Sequence, residues 1–593
     1  MSTSTTRTGV TRGGVWLIES AEPASVLTPE KLSEEHRMIG RTAEQFLANE
    51  VLPNLERLEQ KDWTLARQLV KRAAELDLLG VDVPETYGGA QMDKTATVVL
   101  NERMAASASF AVTFGADSNL SVLPLLLFGT DEQKREYVPR LISGEIIGAY
   151  ALSESGSGSD ALGAKARATR QADGSFVLNG EKMWITNGGF ADLFIVFAKV
   201  DGQHFTAFIV ERAFPGVTTG REEHKMGLHG SSTTPLVLQD AKVPAENVLG
   251  EIGKGHKVAF NVLNFGRYKL GATCSGGAKG AIAESAKYAA TRRQFGQPIA
   301  SFGAIKFKLG EMTLREYAIE SLVYRTAGLI DAMLAGHDPN DMQAVLAAVE
   351  EFAVEASIVK VAGSETLSYV LDENIQIHGG NGFVKDYPAE RHYRDARVNR
   401  IFEGTNEINR LLIPGMLVRR ALKGDLPLIP AAKKLMDEMM SPMPAMTSEG
   451  GTLEEERRAV ASFKKVALMI LGTAMQRYGE KLTDEQEVLT MAADIIIDTL
   501  CAESALLRAL DARGRGLANA ELHLDAARAV VSEASGCIEL SARRGLAAMG
   551  EGDVLRTQLA ALRRLLKLTP ANTIAIRRRL ADETVARGGY IFG

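Results

Sequence analysis

The sequence predicts a mainly α-helical protein with a central β domain and an extra helical block towards its C-terminal end. Apolar residues recur at three- and four-residue spacing from about residue 28 to Gly148, the period of an α-helix. From Gly148 to Gly250, short apolar or alternating runs are separated by Gly, Asp and Pro, which indicates strands. Helical spacing then returns. Because 593 residues exceed what one hydrophobic core usually supports, we expect several domains.

Residues 28–148 are expected to form an N-terminal helical domain. Predicted helices span residues 32–52, up to Pro53, and then 65–79, 96–104, 118–128 and 131–142. Thr130 is a typical helix start, because its hydroxyl can accept a backbone N–H of the first turn. Residues 1–27 should be a disordered or extended arm, with a transit peptide as the alternative for the first 15.

The middle of the chain should hold a β domain, at residues 149–255, and then a four-helix bundle, at residues 256–426. Strand patterns begin at Phe176 and continue over residues 191–200, 205–210 and 236–238, as in a barrel or sandwich. Four long helical stretches follow at residues 258–292, 302–335, 343–374 and 387–422, the number that a bundle needs.

Residues 427–593 are long enough to form a domain of their own. Residues 427–451 contain four Pro and five Met, so we expect an irregular connector there. Amphipathic helices are then predicted at residues 453–478, 484–513, 519–546 and 553–568.

Composition argues against several classes of protein. The net charge of −6 argues against a nucleic-acid partner, which would require a strong basic balance. The nine His and three Cys are scattered without ligand spacing, so we expect no metal, no disulfide framework and a reducing compartment. No run of about 18 apolar residues is visible, so we expect no membrane span, and the lack of an apolar signal region disfavours secretion.

One carboxylate near the end of the predicted bundle has unusual neighbours. Glu403 follows Ile401 and Phe402 and precedes Gly404 and Thr405. Apolar neighbours desolvate a carboxylate and raise its pKa, which makes it a competent base near neutral pH. Gly404 permits close approach of backbone to a ligand, and Thr405 offers a hydroxyl and an N–H to a cofactor. The alternative is a helix start with a stray Glu.

Six separated motifs point to one family. They read YALSESGSGSD at residues 150–160, KMWITNGG at 182–189, KMG at 225–227 with VPAENVLG at 243–250, TRRQFG at 291–296, QIHGGNG at 376–382 and FEGTN at 402–406. In this order they resemble the acyl-CoA dehydrogenases, over about residues 34–417. Asn264, Gly266, Arg267, Phe402 and the long C-terminal block are similar to the very-long-chain branch and its bacterial relatives. Shorter-chain members end near the position of residue 420 and commonly carry Asp in place of Asn264.

The resemblance implies both a fold and a reaction. The fold would be acyl-CoA dehydrogenase-like, with an N-terminal helical domain, a β-barrel and a C-terminal four-helix bundle, plus the extra C-terminal helical domain. The reaction would be α,β-dehydrogenation of a long-chain acyl-CoA to a trans-2-enoyl-CoA in fatty acid β-oxidation, with FAD accepting hydride. Glu403 would remove the α-proton, since Gly266 stands where some members carry the base. The backbone N–H of Glu403 and a ribityl hydroxyl of FAD would polarise the thioester carbonyl of the substrate. Glu154 is a weaker candidate base.

The resemblance also implies binding residues. FAD would contact Tyr150, Leu152, Ser153, Gly158, Ser159, Trp184, Thr186, Arg292, Phe295, Gln376, Gly379, Gly380, Thr405 and Glu407. Among these, Arg292, Phe295 and residues 376–380 would reach the FAD of a neighbouring subunit, so a homodimer would complete each site. Substrate would contact Ser159, Asn264, Arg267, Glu403 and Gly404, with Asn264 and Arg267 at the CoA. Arg267 could instead pair with a carboxylate in the bundle.

Three functions fit the sequence. The first is a dehydrogenase that passes electrons to an electron-transfer flavoprotein. The second is an acyl-CoA oxidase that uses O₂, and the third is an assembly or scaffold protein for a respiratory complex.

The extension suggests a cellular setting. It could cover a bundle face and leave a homodimer. Its Met436, Met439, Met440, Met443 and Met446, with basic Arg563, Arg564, Lys567 and Arg577 to Arg579, could bind an anionic membrane surface. We expect a cytoplasmic protein, peripheral at the inner face of the membrane, or a mitochondrial matrix protein if the source is eukaryotic.

Overall fold

A computed structural model describes residues 11–440 and 451–592, and it confirms the predicted fold class of helical, β and helical domains with a further helical domain. The N-terminal helices are α1 Glu34–Phe46, α2 Leu55–Glu59, α3 Trp63–Ala74, α4 Lys94–Met104, α5 Ala108–Ser118, α6 Val122–Phe128 and α7 Asp131–Ile142. Thr130 caps α7 in a reciprocal pair with Gln133, as its sequence indicated. The predicted helix over residues 32–52 was too long, because α1 passes into a π-turn and a 3-10 turn that contains Pro53.

The described part of the N-terminal arm is not a disordered or extended strand. Residues 11–27 make two short 3-10 turns and bury Trp16 and Leu17. The backbone N–H of Gly14 and the indole N–H of Trp16 both donate to Oε1 of Glu355, at 2.7 and 3.0 Å. The arm is therefore held on the bundle by apolar burial and by two hydrogen bonds to a buried carboxyl group.

The sequence was expected to hold no apolar run of about 18 residues and no membrane span, but one helical segment meets the length and composition of such a span. By length and composition, Ala108–Phe128 passes that test, with a mean hydropathy of 1.4 in its most apolar window. In the folded chain it forms the two short helices α5 and α6, and 78% of the window is buried. The predicted helix over residues 118–128 was likewise only the second of these two helices. The segment belongs to the core of the N-terminal domain.

The β domain is one eight-stranded sheet, built mainly from antiparallel pairs. Its strands are β1 Gly148–Ala151, β2 Arg167–Arg170, β3 Phe176–Thr186, β4 Leu193–Val200, β5 His204–Glu211, β6 Val217–Thr219, β7 Thr233–Val243 and β8 Val248–Leu249. Hydrogen bonding follows the order β6-β7-β3-β2-β4-β5-β8, and β1 pairs in parallel with β4. Alternate residues of the strands, among them Phe176, Phe194 and Phe208, form a core of their own.

The bundle contains the helices α8 Gly255–Thr291, α9 Gly303–Leu334, α10 Met342–Glu351, α11 Ala353–His378, α12 Ala389–Ala396 and α13 Asn406–Lys423, and the short strands β9 Arg293–Gln294 and β10 Gln297–Pro298. Two predicted bundle helices are interrupted. The third is α10 and α11, which meet at Phe352, and the fourth is broken between Ala396 and Asn406. The second interruption is the loop that carries Glu403, so the proposed base lies on irregular backbone between two helices.

The extension contains α14 Leu428–Met440, α15 Glu454–Tyr478, α16 Gln486–Gly514, α17 Ala520–Met549, α18 Gly552–Leu565 and α19 Thr573–Arg587. The expected connector is helical over α14, because its apolar residues follow a helical period despite Pro430. Met443 and Met446 lie outside the described residues. The final helix, α19, was not predicted. Helices α16 and α19 pack against α9, and α16 also packs against α13, so the extension covers one face of the bundle.

A buried guanidinium joins three distant parts of the chain. Arg508 on α16 donates to Glu30 at 3.0 Å, to Glu320 on α9 at 2.6 Å and to the carbonyl oxygen of Phe592 at 3.3 Å. Its guanidinium carbon lies 4.6 Å from the ring centroid of Tyr317. The Arg508 side chain is only 1% exposed, so these partners replace the water that the charge would otherwise need.

Candidate active site

The loop of Glu403 has an uncommon backbone conformation. Glu403 and Gly404 both have positive φ angles, 58° and 77°. Such a conformation is easy for glycine but is strained for glutamate, so surrounding contacts must hold it. Asn409 Nδ2 donates to the Gly404 carbonyl at 2.9 Å, and Arg267 Nε donates to the Glu403 carbonyl at 3.3 Å. Thr405 accepts the N–H of Ile408 and so caps α13, which fixes the other end of the loop.

The carboxylate of Glu403 is desolvated and points at helix α8. A β-carbon on Gly266 would lie 2.6 Å from its Oε2, so the carboxylate fills the space beside that glycine. Oε2 is buried and has no hydrogen-bond partner among the described residues. Burial raises the pKa of Glu403 to about 7, although the nearby charges of Arg267 and Lys360 act in the opposite direction. This is the electrostatic state that the sequence predicted for a base.

A second unpartnered group faces Glu403 from the β domain. Tyr150 lies on β1, and its buried hydroxyl has no hydrogen-bond partner among the described residues. Burial raises the pKa of Tyr150 well above its usual value, and the charge of Glu403 raises it further. Buried polar groups are normally satisfied, so two unsatisfied ones in electrostatic contact mark a place for a polar ligand between the β domain and the bundle.

Glu154, the weaker candidate base, is occupied by structural contacts. Its carboxylate accepts from Lys182 Nζ at 2.7 Å and from the backbone N–H groups of Lys165 and Ala166, at 2.6 and 3.1 Å. Burial alone would raise the pKa of Glu154, but these donors lower it below its ordinary value. A fully bonded carboxylate with a lowered pKa is a poor proton acceptor, so Glu154 stabilises the loop after β1.

That loop and the neighbouring strand β3 present an open surface. A β-carbon on Gly158 would have no atom of the described residues within 4 Å, and Ser159 is exposed. Trp184 is 58% exposed and has a φ of 59°, at an irregular register between β3 and β7. An exposed indole beside a glycine-rich loop suits a flat aromatic ligand. Leu152 and Ser153 accept hydrogen bonds from β3 through their carbonyls, and Thr186 ends that strand half-buried.

The second predicted group of cofactor residues lies at the far end of α8. Tyr288, one turn before Arg292, stacks on His378 with ring centroids 4.1 Å apart, which brings Arg292 and Phe295 near Gln376, Gly379 and Gly380. Phe295 is 92% exposed and has a φ of 51°. Twenty-six residues separate Gly266 from Arg292, about 39 Å at roughly 1.5 Å per helical residue. This group therefore cannot reach the cleft of Glu403 in the same chain.

The predicted substrate residues Asn264 and Arg267 bond to each other. Arg267 Nη1 donates to Asn264 Oδ1 at 2.9 Å, and the arginine is 7% exposed. Its Nε reaches the Glu403 carbonyl rather than a carboxylate, so the alternative of a carboxylate partner does not hold among the described residues. Contact of either side chain with CoA stays a prediction.

Glu407 lines a cleft of about 620 Å³ between the bundle and the extension. It is exposed on the first turn of α13, where hydrogen bonding to its own backbone lowers the pKa of its carboxyl. Arg410 crosses the cleft, bonding Glu365 through both Nη atoms at 2.6 and 2.8 Å and Asp494 of α16 at 2.7 Å. Asp494 and Arg410 were not predicted, because no local pattern marks a contact between the bundle and the extension.

Comparison with known proteins agrees with this architecture. A probable acyl-CoA dehydrogenase of Bacillus subtilis is 48% identical over 577 residues, 96% of this chain and 97% of that protein. The chain belongs to the acyl-CoA dehydrogenase family. Models of the family's N-terminal domain match residues 33–145, of its middle domain 149–241, and of its C-terminal domain 253–416. A second acyl-CoA dehydrogenase C-terminal domain model matches residues 462–564 of the extension.

Solved structures of family members are also similar. An acyl-CoA dehydrogenase from Bacillus anthracis, complexed with FAD, has a TM-score of 0.96 at 48% identity and covers 98% of this chain and 100% of its own. Butyryl-CoA dehydrogenase of Megasphaera elsdenii has a TM-score of 0.60 at 37% identity over 65% of this chain and 99% of its own. The very long-chain specific enzyme of Rattus norvegicus is 41% identical over 57% of this chain and 51% of its own length. The similarity to the Bacillus anthracis enzyme covers 98% of this chain and therefore includes the C-terminal extension.

Proposed function

We propose that this protein is an FAD-dependent acyl-CoA dehydrogenase that uses Glu403 as its α-proton base. The observation that carries the proposal is the buried, unpartnered Glu403 carboxylate with a raised pKa, in the loop between α12 and α13. A base that titrates near neutral pH is suited to removing a weakly acidic proton next to a thioester carbonyl.

The residues present fit a flavin. The exposed Trp184, the open loop around Gly158 and the unpartnered Tyr150 hydroxyl form a cradle on the β domain, opposite Glu403. We propose that they hold the isoalloxazine end, together with Leu152, Ser153, Ser159, Thr186 and Thr405. Glu407 lies in the separate cleft between the bundle and the extension. The relative from Bacillus anthracis was solved with FAD. Bound FAD would supply the hydride acceptor, which no protein side chain can provide.

The chain's own residues supply the proton chemistry. Glu403 Oε2 is shielded from water and has no hydrogen-bond partner in residues 11–440 and 451–592, and it takes the α-proton of the acyl thioester. The backbone N–H of Glu403 would donate to the thioester oxygen as negative charge develops there. Arg267 holds the Glu403 carbonyl, and its positive charge favours the ionised carboxylate that the reaction needs. Gly266 leaves the space that the carboxylate fills.

The finer parts of the proposal concern substrate length and electron acceptor. We propose long-chain acyl-CoA as substrate and an electron-transfer flavoprotein as acceptor. The similarity to the rat very long-chain specific enzyme supports the first. A chain in a structure of the electron transferring flavoprotein of Acidaminococcus fermentans, 33% identical to this chain, supports the second. An oxidase would instead form peroxide in air, and a scaffold protein would not be bleached by substrate.

We further propose a cytoplasmic homodimer whose second subunit completes each site through Arg292, Phe295 and residues 376–380. The proposal includes peripheral membrane binding through α14. Met436 is 55% exposed on α14 and could contact lipid, but Arg577 is buried against Glu311 and is not available to a membrane surface. If the protein still binds liposomes after deletion of residues 436–446, this methionine-containing segment does not bind the membrane.

The test replaces Glu403 with Gln, which keeps the shape of the side chain and removes the base. We expect FAD to stay bound, while anaerobic bleaching of the flavin by palmitoyl-CoA slows by at least about 10³-fold. Glu154→Gln is the matched comparison, and it should loosen FAD while leaving the chemical step of the loaded enzyme within about tenfold. Retention of Glu403→Gln activity within about tenfold of the parent would refute the assignment.

A further inference from the structure

Lys360 on α11 lies buried beneath the loop of Glu403. Its Nζ donates to the Gly404 carbonyl at 2.7 Å and to Asn406 Oδ1 at 2.7 Å. Asn406 also accepts from Ser364, one turn along α11, at 3.2 Å. The ammonium therefore joins the residue after Glu403 to the first residue of α13, on either side of Thr405.

Close helix packing brings Lys360 to this position. A β-carbon on Gly363 would lie 3.2 Å from the Cα of Gly271, and one on Gly271 would lie 2.1 Å from Cγ1 of Val359. Helices α8 and α11 thus cross at small residues, which lets their backbones approach. Arg267 lies on α8 and Lys360 lies on α11. Because these helices pack closely where they cross, both side chains contact the loop of Glu403.

The surroundings of Lys360 contain few charges that could pair with it. The ionisable groups that interact electrostatically with it are Cys274 and Arg267 on α8, Glu403 in the loop and Glu407 on α13. Within the described ranges 11–440 and 451–592, no carboxylate lies within ion-pair distance of Nζ. Burial lowers the pKa of Lys360 to about 8. A buried ammonium without an ion pair is costly, so its two hydrogen bonds to the loop must be what retains it.

We propose that Lys360 is a positioning residue for the base, whose ammonium fixes the left-handed backbone at Glu403 and Gly404 and so directs the Glu403 carboxylate. This inference rests on the proposed function. Arg267 and Asn409 also donate to backbone carbonyls of the loop. Lys360 adds an ammonium that bonds both the Gly404 carbonyl and Asn406, the first residue of α13. That charge also favours ionised Glu403, because it opposes the effect of burial on the pKa of the carboxyl.

Removal of the ammonium has two separable consequences. Lys360→Met keeps an unbranched side chain of similar length but loses the charge and the donors. We expect kcat with palmitoyl-CoA to fall about 10²-fold with little change in KM, because the base is misplaced rather than absent. The pH of half-maximal kcat/KM should rise by about 1, because an opposing positive charge is lost. Lys360→Arg should restore most of that midpoint, since it restores the charge.

Lys464→Met is the matched control for loss of a buried lysine. Lys464 lies in the extension and pairs with Glu503, which also pairs with Arg325 at 2.9 Å. This variant should lose stability but keep the wild-type pH profile. Hydrogen exchange of a peptide spanning residues 398–409, measured by mass spectrometry without substrate, should quicken in Lys360→Met and not in Lys464→Met.

The outcomes separate this inference from the proposed function. If Glu403→Gln keeps its activity, the proposed function fails, whatever Lys360 does. If Glu403→Gln is inactive while Lys360→Met keeps both the wild-type pH midpoint and the slow exchange of residues 398–409, the positioning role alone is overturned. A shifted midpoint with faster exchange, rescued by Lys360→Arg, supports it.

Discussion

The carboxylate of Glu403 occupies the space that a side chain at Gly266 would fill, because a β-carbon on the glycine would lie 2.6 Å from the carboxylate oxygen Oε2. The glycine is therefore required by its neighbour in space and not by a turn, since it lies within the continuous helix α8. Gly266 and Glu403 are far apart in sequence, so the position of the base depends on how the bundle closes. A substitution at Gly266 therefore tests where the Glu403 carboxylate lies.

Gly266→Ala should displace the carboxylate and reduce kcat about 10²-fold, because about 1 Å of misplacement is enough for such a loss. The matched control is Gly280→Ala on the same helix, where a β-carbon would meet no atom of the described part of the chain within 4 Å. That control should raise stability by about 0.5–1 kcal/mol through its better helix propensity and leave kcat unchanged. Steady-state kinetics and urea unfolding measure the two effects. Equal activity of the two variants would place the carboxylate elsewhere.

The pH dependence of stability should report on Glu403 before any substrate is added. Burial raises the pKa of this carboxyl from 4.5 to about 7, so the folded protein favours the protonated form. The resulting stabilisation is complete below pH 4.5 and is lost as the pH rises to about 7. The Tm of the wild type relative to Glu403→Gln, which does not titrate, should therefore fall between pH 5 and pH 8. A constant difference would contradict the raised pKa.

Local patterns in the sequence were sufficient for Glu403 and insufficient for Lys360. The apolar residues and the glycine beside Glu403 in the chain led to the right residue. Ile401 is itself 52% exposed, however, and the carboxylate is desolvated by its packing beside Gly266. Lys360 contacts Gly404 and Asn406, which are 44 and 46 residues away, and nothing beside it in sequence indicates that contact. A lone lysine in an apolar helix was the available signal, and it does not identify a partner.

The same distinction applies to the fold. Periodicity predicted the long helices because each buries a regular apolar stripe, and it predicted the strands through alternation. It failed where long-range contacts decide the structure. Trp16 is buried because its indole meets Glu355, which is 339 residues away. Helix α5 was missed because it is short and mixes small, polar and aromatic residues, so it shows no clear apolar stripe in the sequence.

Arg292 should link cofactor retention to assembly. It lies about 39 Å along α8 from Gly266, too far to reach the cleft of Glu403 in its own chain, and the proposed dimer assigns it to the site of the other subunit. Arg292→Ala should lose FAD on gel filtration and lose dimer in parallel, as followed by flavin absorbance and light scattering. Arg543→Ala, at an arginine whose side chain is 64% exposed on the extension, should change neither. A monomeric Arg292→Ala that retains full flavin would exclude a shared site, and a stable wild-type tetramer would exclude a dimer protected by the extension.

Arg508 should be among the most sensitive positions for stability. Arg508→Met leaves Glu30 and Glu320 without their shared buried partner, and breaking such a group costs about 3–5 kcal/mol. The comparison is Arg556→Ala, which removes an ion pair whose side chains are 81% and 93% exposed. That change should cost less than about 1 kcal/mol. Denaturant unfolding of both variants at one protein concentration tests the difference, and similar losses would show that the buried network is dispensable.

Residues 105–109 should influence the preferred acyl length if they line the substrate pocket. A β-carbon on Gly276 of α8 would lie 3.0 Å from the β-carbon of Ala105, so this segment packs closely on the bundle. Ala105→Leu and Ala108→Leu should shift the kcat/KM optimum towards shorter acyl-CoA, whereas Ala106→Leu, at an exposed position, should not. An acyl-CoA series from C4 to C18 provides the measurement. Unchanged profiles in the first two variants would limit the segment to helix packing.

The contacts of Arg508 also constrain the order in which the protein can mature during synthesis. Glu30 leaves the ribosome 478 residues before the arginine that neutralises it, an interval on the order of a minute at the usual elongation rates. The carbonyl of Phe592, a third partner of Arg508, emerges later still. Each newly made chain must therefore keep the future contact surface of α9 uncovered until translation is nearly complete. During that interval the exposed apolar side chains of this surface make the nascent polypeptide prone to aggregation.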